Sequence, residues 1–203
     1  MKSMLKDAAI LFAITVIAGA ILGFVYDITK APIAQQEAKA KSEACQEVFA
    51  DAAEFEAMTG SEDEMTAVIA EGGFTKSTVN EVMKAKDASG SVLGYVITVT
   101  SHEGYGGDIK FSMGVRTDGT LNGISILSIS ETAGLGMRAE EVLKPQFANK
   151  KVAQFTCTKT GAASDDQIDA ISSATITSNA VIDTVNAGMY YFQTALQEGG
   201  SNE

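Results

Sequence analysis

The chain has few of the side chains that hold metals or build reactive centres: of its 203 residues one is histidine, two are cysteine and none is tryptophan. Cys45 and Cys157 lie far apart and form no Cys-x-x-Cys pair, which excludes an iron–sulfur cluster, structural zinc or haem held by these cysteines alone. A disulfide between them and a role as small apolar core residues both stay open. No Ser-His-Asp set or catalytic pair of carboxylates can be argued from the sequence, so we assign no catalytic residue and no metal ligand.

Basic residues are also scarce. The chain has 15 lysines and arginines against 26 aspartates and glutamates, a net charge of -11 at pH 7. Proteins that bind nucleic acids neutralise phosphates with clustered lysines and arginines. We therefore expect no nucleic acid among the partners.

A charge-free run occupies residues 8–26. As a helix it would be roughly 28 Å long, close to the thickness of the hydrocarbon core of a bilayer. A cleavable signal peptide has a shorter apolar core, whereas here the run continues into Phe24, Val25 and Tyr26. We expect residues 1–30 to be an uncleaved, single-pass membrane anchor. Lys2 and Lys6 precede the run and favour a cytoplasmic N-terminus, although Lys30 on the far side opposes this bias.

The segment after the anchor is rich in helix-forming residues. Pro32 suits the first turn of a new helix, and residues 33–58 contain many Ala, Glu, Gln and Lys. Ala44, Val48 and Ala52 fall on one face at helical spacing. We expect residues 31–77 to be a helical juxtamembrane stalk, with breaks at Gly60 to Glu64 and again at Gly72-Gly73.

Alternating apolar and polar residues begin near Thr78, which predicts that residues 78–203 are the folded domain. The expected orientation of the anchor would place this domain outside the cytoplasm. Strands are expected at residues 79–86, 92–100, 109–115, 121–129 and 151–157, with Val79, Glu81, Met83 and Ala85 on one face of the first. Thr117-Asp118-Gly119 predicts a hairpin turn, Arg138 to Leu143 a short helix, and 161–167 a polar loop. The expected fold class is α+β: a transmembrane helix and a stalk helix, then an antiparallel-sheet domain with packed helices.

The end of the chain has a helical stripe. Apolar residues at helical spacing predict a last helix that buries one face, namely Val181, Val185, Met189, Phe192 and Leu196. Residues 199–203 are expected to fray.

The stretch Asp169 to Ser178 is unusually rich in hydroxyl groups and directly precedes this last helix. The first N–H groups of a helix lack partners within it and carry partial positive charge, so a phosphate can be held there. The alternative is a Ser/Thr-rich helix cap with Thr177 or Ser178 as the N-cap residue.

A second motif, Ser130 to Gly136, directly follows a predicted strand. Gly134 and Gly136 flank Leu135 and allow the backbone to bend sharply and to approach the flat ring of a ligand. Glu131 and Thr132 offer hydrogen bonds to such a ligand. Upstream, Gly104-Tyr105-Gly106-Gly107 is too short for a dinucleotide fingerprint, and we interpret it as a plain loop.

These motifs resemble those of the FMN-binding subunits of the Rnf complex and of the sodium-translocating NADH:quinone reductase. The first match comprises Asp169, Ser172, Ser173, Ala174 and Thr175, with Ser173 where the family usually has Gly. The second is Glu131 to Gly136, with Ala133 in place of a Pro and Ile129 in place of a His. Residues 104–109 match a further Gly-Tyr-x-Gly-x-Ile pattern.

The resemblance implies an antiparallel-sheet FMN-binding domain, and it also implies site residues. Thr175 would carry FMN as a phosphoester, attached by a flavin transferase that recognises Asp169. The other cofactor-binding residues implied are Ser172, Ser173 and Ala174 near the phosphate, and Glu131, Thr132, Gly134 and Leu135 near the ring.

By the same resemblance, the protein is an electron-carrying subunit of an Rnf-type ferredoxin:NAD oxidoreductase in a bacterial cell membrane. It would relay electrons through covalent FMN while sister subunits couple this flow to ion movement, so it is not a complete enzyme. Two alternatives stay open. One is a subunit of the quinone reductase or another extracytoplasmic FMN-binding electron carrier, and the other is a cofactor-free, membrane-tethered binding module. His102 is either a proton donor or a solvated loop residue.

Overall fold

The structure is a computed structural model that describes residues 2–197. The expected fraying of residues 199–203 lies outside this range. The chain divides into two compact units, with the boundary between Ala40 and Lys41.

The first helix, α1 (Lys2–Val48), is continuous. The expectation of a new helix at Pro32 is wrong, because Pro32 lies inside α1. Proline removes one backbone hydrogen bond, but the helix-forming residues on both sides allow the helix to continue. Within residues 2–197, α1 is the one helix long and apolar enough to cross a membrane, with a mean hydropathy of 2.6 in its most apolar window and none of that window buried.

Residues 31–77, expected to be a helical stalk, form three different elements. The predicted helix 33–58 is wrong after Val48, since β1 (Glu54–Ala57) is an extended strand. It pairs with the strand β2 (Ser77–Lys86), so hydrogen bonds to a neighbouring strand override the local preference for a helix. The break expected at Gly60 to Glu64 is confirmed at Gly60 and Ser61, which lie between β1 and α2 (Glu62–Glu71). Helix α2 begins within the expected range, where Ser61 and Glu64 form a capping box.

A five-stranded antiparallel sheet is the centre of the second unit. It contains β1, β2 (Ser77–Lys86), β3 (Val92–Ser101), β4 (Ile109–Arg116) and β5 (Leu121–Ile129), in that order. The four strands expected between residues 79 and 129 are confirmed, as is the turn at 117–119, where Gly119 has a φ of 85° and donates to Arg116 O.

The regular alternation expected in β2 is wrong. A bulge at Asn80 shifts the register between Val79 and Glu81. Val79 and Val82 therefore share the face that contacts the main core, while Met83 and Ala85 face the opposite side.

The second half of the unit has short elements and one long helix. These are α3 (Ala139–Val142), β6 (Thr156–Thr158), β7 (Gln167–Asp169) and α4 (Thr175–Tyr191), the last continued by a π-helical turn, Phe192–Gln197. The strand expected at 151–157 is wrong except at its end, and the polar loop at 161–167 ends in β7. The two short strands pair in parallel.

The core lies on both faces of the sheet. On one face the sheet packs against α4, and all five residues of the predicted apolar stripe are buried there. On the other face Cys45, Val48 and Phe49, with Ala52, pack against Met83 and its neighbours.

The cysteines are free, which rules out the disulfide in this structure; Cys45 is buried and Cys157 is half-buried. Burial raises the pKa of the Cys45 thiol to about 11.

Candidate functional site

Three segments meet beside one end of the sheet. The loop 102–108 joins β3 to β4, and the loop 130–136 follows β5. Because Ile109 pairs with both Ser101 and Ile129, the two loops leave the sheet at the same end. The third segment is the beginning of α4. Together they enclose a cleft of about 230 Å³ lined by Tyr105, Glu131, Thr132, Leu135, Gly136, Ala174, Ile176 and Thr177.

Glycines allow these segments to touch. A Cβ added at Gly106 would lie 2.0 Å from Ser130 O, and one added at Gly136 would lie 2.6 Å from Thr177 Oγ1. Both distances are far below van der Waals contact, so a larger residue at either position would push the segments apart. The close approach of the three segments therefore depends on glycine.

Thr175 is the first residue of α4 and is half-buried between the cleft-lining residues Ala174 and Ile176. Ala174 is the N-cap residue, and no side chain within the described residues caps the helix. The alternative of Thr177 or Ser178 as N-cap is therefore wrong. The Ser178 hydroxyl is used elsewhere, because it donates to Ala174 O and accepts from Ile171 N. The first turn of α4 thus keeps N–H groups that can donate hydrogen bonds to an anion.

A tight turn leads into α4. Ala174 N donates to Ile171 O at 3.0 Å, and the two central residues, Ser172 and Ser173, are exposed. Ser173 has a φ of 64°, a left-handed conformation that L-residues rarely adopt. A positive φ at the third residue alone is the pattern of a type II turn, which favours glycine there. The backbone therefore explains why the related motif has glycine where this chain has Ser173.

Glu131 carries an unsatisfied atom. Its Oε1 is buried and has no hydrogen-bond partner among residues 2–197. Gly104 and Gly136 surround the carboxylate, since a Cβ added at these positions would lie 2.9 Å from Oε1 and 2.8 Å from Oε2. A buried acceptor without a donor is costly, so a ligand that brings a donor suits this position. The imide N–H of an isoalloxazine ring is such a donor, so the residues present fit a flavin.

Not every predicted site residue lies at the cleft. Glu131, Thr132, Leu135 and Ala174 line it, whereas Gly134, Ser172 and Ser173 lie in neighbouring turns. Asp169 is on β7, where its Oδ2 accepts from Ala162 N at 3.1 Å. Its backbone is held by the Gln146 amide, with distances of 2.7 Å from Asp169 N to Oε1 and 3.1 Å from Nε2 to Asp169 O.

Four lining residues were absent from the predicted set: Tyr105, Gly136, Ile176 and Thr177. Residues 104–107 form a loop, as expected, and Tyr105 of this loop lines the cleft. The sequence contains one signal for the role of Tyr105: it stands between two glycines, which have no side chains that could bury its ring. Among the large apolar side chains exposed in the second unit, Tyr105, Leu135 and Ile176 line the cleft and Met137 follows Gly136, leaving Val92 as the exception within the described chain.

Comparisons with known proteins find relatives for most of the chain. Residues 104–189 match the FMN-binding domain family, and residues 1–48 match the RnfG N-terminal region. The chain is 32% identical to the G subunit of the Na(+)-translocating ferredoxin:NAD(+) oxidoreductase complex of Acetobacterium woodii, over 95% of this chain and 93% of the relative. It is 33% identical to the G subunit of the ion-translocating oxidoreductase complex of Methanosarcina acetivorans, over 98% of both chains. The crystal structure of Shewanella oneidensis NqrC is similar in fold, with a TM-score of 0.50, 21% identity and 62% of each chain covered.

Proposed function

Because this chain belongs to the RnfG family of ion-translocating oxidoreductase subunits, we propose that it is the membrane-anchored flavoprotein subunit of an Rnf-type ferredoxin:NAD oxidoreductase complex. In this role it relays electrons through FMN, and sister membrane subunits couple the electron flow to ion translocation. The observation that carries the proposal is the cleft itself, because its lining includes both Glu131, whose buried oxygen is unsatisfied, and the neighbours of Thr175 at the start of α4, namely Ala174 and Ile176.

The proposed attachment point is the Thr175 hydroxyl. In maturation, a flavin transferase joins the Thr175 oxygen to the phosphorus of FMN, with FAD as the donor, AMP as the leaving group and loss of the hydroxyl proton. The uncapped N–H groups of α4 and the exposed hydroxyls of Ser172 and Ser173 are suitable donors to the phosphate oxygens. Asp169 fixes the preceding loop through Ala162 N and belongs to the pattern that the transferase recognises.

The remaining site residues are proposed to hold and orient the ring. Glu131 accepts a hydrogen bond from the imide N–H, and Thr132 and Gly134 shape the loop beside it. Leu135 and Ile176 provide apolar contacts and exclude water from one side of the cleft. Bound FMN supplies one- and two-electron redox chemistry, for which no side chain of this protein has an equivalent.

The proposed location is a bacterial cell membrane, with α1 as a single-pass anchor, a cytoplasmic N-terminus and an extracytoplasmic second unit. The apolar part of α1 supports the anchor, and the lysines before it support the orientation. A covalent link suits this location, because it retains the cofactor where free flavin is scarce.

Intact-protein mass after co-expression with a flavin transferase tests the proposal. We expect an added mass of FMN minus water, mapped to the peptide that contains Thr175. Thr175→Ala should lose the covalent flavin completely and keep its fold. Thr160→Ala is the matched control, since this exposed threonine pairs with Thr158 in a loop outside the cleft, and it should retain the flavin.

Flavin retained by Thr175→Ala under denaturing conditions would overturn the site assignment. If the unaltered chain acquires no flavin while the transferase modifies a positive control, the electron-carrier proposal fails. A cofactor-free, membrane-tethered binding module would then be the leading alternative. A flavin at Thr175 with no electron exchange with the Rnf partners would favour another extracytoplasmic carrier, including the quinone reductase subunit.

A further inference from the structure

The β3–β4 loop, residues 102–108, places an aromatic side chain at the mouth of the cleft. Tyr105 lines the cleft, yet 71% of the residue is exposed. Three glycines, Gly104, Gly106 and Gly107, accompany it, and no backbone hydrogen bond joins two residues of 103–108 in the part of the chain described. The shape of this loop must therefore be maintained by side chains and packing.

His102 makes the side-chain contacts that hold the base of the loop. Its Nδ1 lies 3.0 Å from Asp108 Oδ1, at the other end of the loop, and its Nε2 lies 2.8 Å from Thr78 Oγ1 on β2. Its backbone N–H donates to Lys76 O at 3.0 Å. We call Thr78, His102 and Asp108 the His102 clamp. It closes the loop at its base and joins it to the neighbouring strand.

The chemistry of the partners is consistent in either protonation state of the histidine. A carboxylate only accepts, so neutral His102 donates from Nδ1 to Asp108 and accepts at Nε2 from the Thr78 hydroxyl. Protonated His102 donates from both nitrogens, and the Thr78 oxygen then accepts. Because both bonds persist, the His102 clamp works as a mechanical restraint.

The restraint is transmitted to the cleft by close packing. Gly106 lies against the backbone of Ser130, and Gly104 lies beside the Glu131 carboxylate and Gly107 O. A loop fixed at its base and packed along this surface holds Tyr105 at the cleft that Leu135 and Gly136 also line. If the base is released, three glycines give the loop many other conformations.

We propose that His102 is a positioning residue, which holds the β3–β4 loop so that Tyr105 covers the flavin ring bound in the cleft. This inference rests on the proposed function, because the covered ligand is the FMN attached at Thr175. Aromatic side chains stack on flat conjugated rings and exclude water from them. His102 acts through Tyr105 and makes no contact with the ring.

The first experiment uses the full chain in detergent before flavin attachment and so does not depend on the proposed function. Chymotrypsin cleaves after tyrosine, and cleavage of a folded loop follows the population of its open form. We expect Asp108→Ala to be cut after Tyr105 about fivefold faster, as loss of one ordinary hydrogen bond predicts, and His102→Ala, which loses the bonds to both Asp108 and Thr78, to be cut at least as fast. Asp108→Asn keeps an acceptor for Nδ1 and should restore the slow rate.

Asp118→Ala is the matched control. Asp108 precedes β4 and Asp118 follows it, and Asp118 also accepts hydrogen bonds in an exposed turn, from Thr120. This variant should not change the rate of cleavage after Tyr105. Equal cleavage rates for His102→Ala and the unaltered chain would overturn the inference, as would a failure of Asp108→Asn to differ from Asp108→Ala.

The second experiment uses the flavin-loaded chain and measures the quenching of flavin fluorescence by iodide. Removal of the cover in Tyr105→Leu should increase the iodide quenching constant, and His102→Ala should increase it as well. In the double variant the effect of His102→Ala should disappear, because the residue through which it acts is already absent. Additive effects, or no effect of Tyr105→Leu, would refute the role of His102, whereas a chain without flavin would instead count against the proposed function.

Discussion

Ser173 shows how one residue can conflict with its backbone. The turn before α4 requires a positive φ at this position, and Ser173 adopts 64° although serine has a Cβ. Non-glycine residues in this region carry strain of roughly 1–3 kcal/mol, which the surrounding structure must offset. Here the hydrogen bond from Ala174 N to Ile171 O and the bonds of Ser178 hold the turn in place.

Ser173→Gly should increase the free energy of unfolding by up to about 1 kcal/mol, because relief of strain exceeds the greater flexibility of unfolded glycine. Ser173→Val should lower it by roughly 1–3 kcal/mol, since a β-branched side chain tolerates positive φ poorly. Urea denaturation of the three proteins measures these differences.

Asn149→Gly provides the control for this series. Asn149 also has a positive φ, of 56°, but asparagine adopts this region readily. If Asn149→Gly increases the free energy of unfolding as much as Ser173→Gly does, relief of strain at Ser173 is not the cause of the increase.

At the scale of elements, two glycines allow the end of α1 to pack on the sheet. A Cβ added at Gly94 on β3 would lie 2.3 Å from Val115 O and 2.6 Å from the Phe49 ring. One added at Gly114 on β4 would lie 2.8 Å from Val48 Cβ. The fully buried Phe49 therefore occupies space that exists only because these strand positions lack side chains.

Gly94→Ala should lower the free energy of unfolding by about 3 kcal/mol, because backbone atoms must move to accept the methyl group. Thermal or urea denaturation measures the loss. Gly60→Ala is the control, since its Cβ would meet only the Met65 side chain at 3.6 Å, an ordinary contact. If Gly94→Ala lowers the free energy of unfolding no more than Gly60→Ala does, the sheet and Phe49 can move to accept the methyl group without cost.

At the scale of the whole second unit, Glu47 connects distant parts of the chain. Near the end of α1, its carboxylate accepts from Ser125 on β5 and pairs with Lys144 Nζ at 2.7 Å. Lys144 follows α3 and also pairs with Glu140. Partial burial by itself would raise the pKa of Glu47, but the hydrogen bonds from Lys144 and Ser125 outweigh it, and the pKa is lowered.

This shift predicts a loss of stability in acid. A carboxyl whose pKa is lower in the folded than in the unfolded protein stabilises the fold above its ordinary pKa of about 4.5. The contribution disappears as the pH falls below that value through the folded pKa. Glu47→Gln should therefore unfold with a shallower dependence on pH between about pH 5 and 3, and Ser125→Ala should be intermediate. Urea denaturation at several pH values measures the slopes, and an unchanged slope in Glu47→Gln would contradict the assignment.

The boundary of the folding unit leads to a prediction about truncation. A chain that begins at Lys41 keeps Cys45, Val48 and Phe49, which cover the second face of the sheet. It should unfold with the same midpoint as a chain that begins at Ile33. A chain that begins at Glu54 loses these residues and should be less stable by at least about 3 kcal/mol, the cost of removing one buried phenylalanine. Equal midpoints for all three in urea would show that this packing contributes nothing.

Local patterns in the sequence were enough to identify much of this protein. Strands β2 to β5 follow from β-branched runs and turn residues, and the buried face of α4 follows from its apolar stripe, because both depend on neighbours a few residues apart. The charge-free run identified the apolar helix in the same way. The two motifs around Glu131 and Thr175 were sufficient to suggest the family.

Only the tertiary structure decided the features that arise from distant residues. β1 is a strand because β2 pairs with it, and the bulge at Asn80 changes which side chains of β2 reach the core. The cleft exists because the register of Ile109 with Ile129 brings two loops together, and α4 begins beside them. The unsatisfied Glu131 oxygen and the positive φ of Ser173 likewise come from this packing, since hydrogen-bond partners and backbone strain are set by the surrounding chain and not by the residue alone.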